Sequence, residues 1–317
     1  MAANAQGDLP LHGTARQGSA TTVSVILSAA AVANAKGNTP LHMAACFGHT
    51  DAAQQLLAAA PASATATNAF GWTPMHMAAE SGHADILQLL LAAAPATATA
   101  VTDHGLTPMH AAAMEGRTAA MQVLLEAAPE TATARDTYQS TPLYVAVIER
   151  HPEAVRLLLE AAPATVHTPN ESGMPPVCAA VQHNDAATLR LLPAAAPATA
   201  LERDDQEGWN ALGLAAWLGH TEAVEQLVAA VPAAASVADY SGRLPLELAA
   251  ARGHAAAARC LVHVGPMHLV LRHWQRPALQ RCPCSLTVPL PAYRWHTGSG
   301  SWCPCPALAW GALCLPR

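Results

Sequence analysis

The sequence predicts an all-α solenoid: stacked helix-turn-helix units joined by short β-turn loops, followed by a tail of different composition. Three observations predict it. A Thr-Pro-Leu-His-x-Ala-Ala phrase returns about every 34 residues along most of the 317-residue chain. Hydrophobic residues make up 52 % of the chain but aromatics only 4 %, so alanine, a strong helix former, supplies most of the apolar content. Charge and cysteine change abruptly near Gly265. A short unit with so small an apolar face is stable only when stacked on copies of itself.

The phrase is clearest at Thr39-Pro-Leu-His-Met-Ala-Ala45, Thr73-Pro-Met-His-Met-Ala-Ala79, Thr107-Pro-Met-His-Ala-Ala-Ala113 and Thr141-Pro-Leu-Tyr-Val-Ala-Val147. Weaker copies begin at Leu9, Met174, Asn210 and Leu244. With the proline slot as marker, the eight units fall at 10, 40, 74, 108, 142, 175, 211 and 245. Each slot predicts one element, in order. Thr before Pro starts the first helix: the hydroxyl caps free amides, and Pro occupies a position whose amide has no partner anyway. Eight residues past the marker, Gly in six units, replaced by Arg150 and His183 in the others, supplies a turn with positive φ. A second helix opens with acids such as Asp51, Asp85, Glu153 and Glu222, which suit its positive end. It carries an aliphatic pair in every unit, from Ile26-Leu27 to Leu261-Val262. It ends before a Pro that lies 21 residues past the marker in most units and 22 past it at Pro197. An Asn or Asp (Asn34, Asn68, Asp136, Asp205, Asp239) and a Gly then make the tight turn into the next unit.

These phrases resemble the ankyrin repeat, over roughly residues 1–264. In that family partners are gripped by the turn tips and by the inner, concave face of the first helices. The resemblance therefore implies a non-enzymatic protein-protein interaction module, a scaffold or adaptor. A targeting portion of a larger enzyme or channel, whose catalytic part lies outside this chain, is the alternative. Pro175-Pro176 and Pro193 are expected to shorten the second helix of the sixth unit, and the stack should be least regular between residues 165 and 210.

In marker coordinates the family's contact positions are −5, −4, −2, +6 and +7. Of eight aromatics before residue 265, seven occupy them: Phe47, Phe70, Trp72, Tyr138, Trp209, Trp217 and Tyr240. Exposed rings along one face are typical partner anchors, although Trp72 and Trp209, directly before the phrase, can also pack across the turn. Glu115 and Glu149 share these slots with Glu80, Asp103, Glu171 and Glu207, so a protein partner with a basic centre fits the pattern.

Other functions find no residues to carry them. Nine of the 16 histidines fall in repeat slots, where they are expected to serve structure, so no metal or catalytic site is assigned. The sequence has no phosphate loop, no His-Glu-x-x-His and no nucleophile elbow. No cofactor and no small-molecule substrate is expected. A net charge of −6 argues against nucleic acid. No apolar run reaches the length of a membrane span, and the first residues lack a secretory pattern. The expected compartment is the cytosol or nucleus.

All 22 acids lie before residue 265, against 11 bases there, a balance of −11; residues 265–317 hold five Arg and no acid. The same tail carries five of the eight Cys, four of the seven Trp and eight of the 25 Pro. Cys282-Pro-Cys284 and Cys303-Pro-Cys305 enclose one residue each, tighter than zinc pairs usually are. A disordered Pro-rich segment and a run read in a shifted frame both fit this composition.

Overall fold

A computed structural model describes residues 8–18, 30–262 and 264; within them lie fifteen α-helices and six short 3-10 helices, and no strand. The tail 265–317, with its cysteine pairs, and the second helix expected around Ile26-Leu27 fall outside the described residues. The first helices form an inner row: α1 Pro10–Gln17, α2 Pro40–Phe47, α4 Pro74–Ser81, α6 Pro108–Met114, α8 Pro142–Ile148, α10 Pro176–Gln182, α12 Ala211–Leu218 and α14 Pro245–Arg252. The second helices form an outer row: α3 Thr50–Ala59, α5 Ala84–Ala93, α7 Thr118–Ala127, α9 Pro152–Ala161, α11 Ala186–Ala195, α13 Thr221–Ala230 and α15 Ala255–Val262. Each helix packs on its counterparts in the units before and after it.

Alanine sets the spacing. Ala44, Ala45, Ala78, Ala79, Ala112 and Ala113 are fully buried between inner helices, and their small side chains let the helices approach closely. The bulk comes from Leu41, Met75, Met109 and Leu143 at the start of each inner helix, and from Leu56, Leu90, Leu124, Leu158, Leu192, Leu227 and Leu261 on the outer row. Burying such a side chain stabilises by about 1.5–3 kcal/mol.

The sixth unit corrects the sequence reading. Its inner helix begins at Pro176, with Pro175 as the residue before it. From Pro176 every slot falls into phase: Gly173 has φ 72° and Asn184 has φ 50°, Leu192 fills the buried aliphatic slot, and Pro197 opens the next 3-10 helix. Asn184, not His183, therefore takes the left-handed position, and Arg150 takes it in the fifth unit with φ 63°. Pro193 does not shorten α11, which keeps ten residues with the proline inside it. The missing amide lies in the last turn, where the fully buried Leu192 anchors the helix and its carbonyl still accepts the Ala196 amide at 3.0 Å.

The irregularity sits in the turn of the seventh unit, within the expected range of residues 165 to 210. Asp204 is the buried turn aspartate, accepting from the amides of Glu207 at 2.8 Å and Gly208 at 2.9 Å, whereas Asp205 is exposed. The added residue is absorbed there, beside an isolated bridge between Arg203 and Asn210. Inner helices on either side of α10 also touch less than those earlier in the stack.

The 3-10 helices are unforeseen elements. They occupy Pro61–Thr65, Pro95–Thr99, Pro129–Thr133, Pro163–His167, Pro197–Leu201 and Pro232–Ser236. In five of them a buried hydroxyl, from Ser63, Thr97, Thr131, Thr165 or Thr199, donates to the carbonyl three residues back at 2.6–2.7 Å. The recurring Pro-Ala-Thr phrase was the signal for them.

Candidate functional site

Two hydrogen-bond ladders hold the units in register and decide what remains free for recognition. In the first, His42 accepts from the Thr39 amide through Nδ1 at 3.1 Å, while Nε2 donates to the carbonyl of Trp72 in the next unit at 2.9 Å. His12 and Asn38, His76 and Leu106, and His110 and Ser140 repeat the bridge. The Thr39, Thr73 and Thr107 hydroxyls lie 2.9 Å from the same Nδ1 atoms. The ring therefore shares the helix start with the threonine, which alone was expected to cap it. Burial lowers His42 and His76 to about 4 and lowers His110 as well, so these rings are neutral bridges.

The second ladder runs backward from the start of the outer helices. His49 reaches the carbonyl of Arg16 at 2.8 Å, His151 that of Met114 at 3.0 Å, His220 that of Val181 at 3.0 Å and His254 that of Trp217 at 3.0 Å. Arg117 replaces the histidine in the fourth unit and donates to the Glu80 carbonyl at 3.1 Å. These histidines are bound up in structure. Among the described residues no three His, Cys, Asp or Glu side chains gather as a metal site, and no described helix is long and apolar enough to cross a membrane.

The aromatics divide into two groups. Phe47, Phe70, Tyr138 and Tyr240 are 41–61 % exposed, which is unusual for rings that burial would favour. Turn geometry holds three of them out. Asn68 accepts from the amides of Phe70 and Trp72 at 2.9 and 3.0 Å, and Asp136 from those of Tyr138 and Ser140 at 2.9 and 2.7 Å. Backbone bonds tie each tip to the next, as from Thr137 to His104 at 3.0 Å and from Glu171 to Tyr138 at 2.7 Å. Tyr240 lies over Gly208, where a Cβ would come within 2.6 Å of its ring, and its hydroxyl donates to the Asp204 carbonyl at 3.3 Å. Only glycine allows that approach.

The three tryptophans are half-buried. Trp72 packs on the core with its ring 5.8 Å from His76, and Trp209 packs there too, its Nε1 donating to Asp239 at 3.4 Å. Both thus pack across their turns. Trp217 is held between Trp209, 5.0 Å away, and the Arg252 guanidinium, 3.8 Å above its ring. Arg16 lies over Phe47 in the same way at 5.1 Å. Between these cationic ends runs an acidic middle. Glu115 and Glu149 are exposed, and Glu115 makes only a loose 3.9 Å pair with Arg117. Burial first, and then the neighbouring Glu115, raise the pKa of Glu80.

Two concavities open beside the rings. One, of about 520 Å³, lies at the first unit between Leu9, Arg16 and Phe47. The other, of about 260 Å³, lies between the sixth and seventh units, floored by Met174, Leu214, Trp209 and Trp217, with Asp204 and Glu207 among its polar walls. Sequence slots alone did not bring Met174 and Leu214 to this notch, because they come from different units.

The family model for ankyrin repeats matches residues 2–68, 56–136, 94–170 and 177–269. No curated protein matches the chain. Among solved structures, the chain is similar to the human ASB11 ankyrin repeat domain, at 26 % identity and a TM-score of 0.56, over 66 % of this chain and 92 % of that one. It is also similar to the ankyrin repeat domain of Bcl-3, described as a unique member of the IkappaB protein family, at 28 % identity and a TM-score of 0.62, over 71 % of this chain and 99 % of that one.

Proposed function

The chain belongs to the ankyrin-repeat family, and we propose that it is a non-enzymatic docking module, a scaffold or adaptor that holds a protein partner on its turn tips and inner helix ends. Ankyrin repeats are protein-protein interaction modules, and their fold is generally non-catalytic. The observation that carries the reading is the row of tip rings. Phe70, Tyr138 and Tyr240 each leave about 60 % of their surface in water, although the core is built from far smaller side chains. Such rings pre-positioned by hydrogen-bonded turns lose little entropy when a partner covers them. The acidic middle formed by Glu80, Glu115 and Glu149 favours a partner with a basic centre. The cytosol or nucleus, where thiols stay reduced, is the compartment this reading assigns.

The test is quantitative affinity purification with the full chain and with a Phe47→Ala, Phe70→Ala, Tyr138→Ala variant. These exposed rings contribute little to folding, so circular dichroism should be unchanged. Proteins retained by the wild type should be lost from the variant. An identical set of captured proteins refutes the assigned face.

A further inference from the structure

We infer that the partner lays a basic amphipathic α-helix across the inner helices of the second to fifth units, one heptad to each unit. The inference rests on the docking reading and deepens it by naming the kind of segment that the inner face takes.

The first support is the pattern of burial along the inner helices. In α2 and α4 the residues one, two, four and five places after the opening proline are buried, whereas those three, six and seven places after it are not. That spacing marks the helix face turned away from the stack. From the second to the fifth unit this face carries one half-buried apolar side chain per unit: Met43, Met77, Met114 and Ile148. The first two stand at the third place and the last two at the sixth, so the line crosses the row obliquely. Three of the four are methionines, whose unbranched thioethers adapt to whatever apolar surface is laid on them.

The second support is charge. Glu80, Glu115 and Glu149 stand at the sixth or seventh place of the same face, again one per unit. They lie at the last turn or just past it, the negative end of each inner helix, where a carboxylate is unfavourable. Burial, and then the charge of Glu115, hold the Glu80 carboxyl above its usual range. A cation seated beside these groups relieves both penalties. Two arginines flank the face at the turns that follow: Arg150 in the left-handed position, and Arg117, which donates to the Glu80 carbonyl at 3.1 Å. The array as a whole, residues 1–264, carries a balance of −11.

Spacing is the third support, and it selects a helix as the occupant. Neighbouring inner helices pack on one another, and packed helices lie about 8–10 Å apart. Seven residues of an α-helix rise about 10.5 Å. A helix crossing the row therefore brings one apolar anchor and one base to each unit. Its sequence should repeat Leu, Ile or Met every seven residues with Lys or Arg along one flank.

The experiment titrates the full chain into a labelled synthetic peptide of about three heptads, read by fluorescence anisotropy. The peptide has leucines at the first and fourth heptad positions and lysines elsewhere. A scrambled peptide of the same composition should bind about tenfold more weakly. Glu115→Lys with Glu149→Lys should weaken binding of the helical peptide by about tenfold as well. Glu126→Lys with Glu160→Lys, exposed on the outer row and equal in charge change, should leave it within about twofold. Circular dichroism checks that both charge reversals keep the helices. No binding of the helical peptide, equal binding of the scrambled one, or an outer-row reversal that weakens binding as much as the inner one overturns the inference. Each of these leaves the docking reading standing, because capture through Phe47, Phe70 and Tyr138 is read separately by the ring variant.

Discussion

The bridging histidines decide stability one residue at a time. His76 joins its own helix start, through the Thr73 amide, to the Leu106 carbonyl of the next unit. His76→Ala leaves both groups buried without this partner, and a loss of about 1–3 kcal/mol is expected from urea unfolding. The same residues make stability depend on acid. The folded pKa of His42 and His76 is lowered from 6.5 to about 4, so between those values the unfolded chain takes up protons that the folded chain refuses. Stability is complete above about pH 6.5 and declines as pH falls toward 4, by up to about 3 kcal/mol per histidine. A urea midpoint that is flat from pH 7 to pH 4 contradicts this account. The structural duty of these histidines was legible from their fixed slot in the phrase. Which atoms they bridge was not, because the partner carbonyl lies about 30 residues away and is supplied only by stacking.

At the scale of the element, the repeat phase foretold the helices, and the errors arose where one slot held two candidates. Pro175 and Pro176 both suited the helix start, and the neighbouring Asp204 and Asp205 both suited the turn. Packing chose between them: the buried Leu192 fixes Pro176 as the start, and the amides of Glu207 and Gly208 select Asp204. Pro193 in α11 shows tertiary burial overriding propensity, at a cost that ought to be recoverable. Other units place Leu or Val in that slot, so Pro193→Leu should restore an amide for the helix and raise stability by about 1–3 kcal/mol. A lowered urea midpoint would mean that the proline ring is itself needed for packing. The six 3-10 helices are hard to see in the sequence because the same Pro that marks the end of one helix also begins the next short one.

For the whole molecule, the stack converts small apolar faces into one continuous core running from Leu11 to Leu261, and it leaves the rings it does not need on the rim. The seven aromatic slots were legible in the sequence as positions. Their separation into four exposed rings and three half-buried tryptophans was not, because it depends on neighbours from adjacent units, such as Asp239 beside Trp209 and Arg252 over Trp217. Trp209→Ala is accordingly expected to lower stability by several kcal/mol, with thermal unfolding as the check, whereas Phe70→Ala should leave stability within about 0.5 kcal/mol. The most direct measurement is titration calorimetry of the captured partner against Phe70→Ala, Tyr138→Ala and, on the outer row, Glu160→Ala. Each ring truncation should weaken binding about 30-fold, equivalent to roughly 2 kcal/mol, with the urea midpoint unmoved and Glu160→Ala without effect. Equal affinities for all three variants and the wild type would contradict the claim that the tip rings hold the partner.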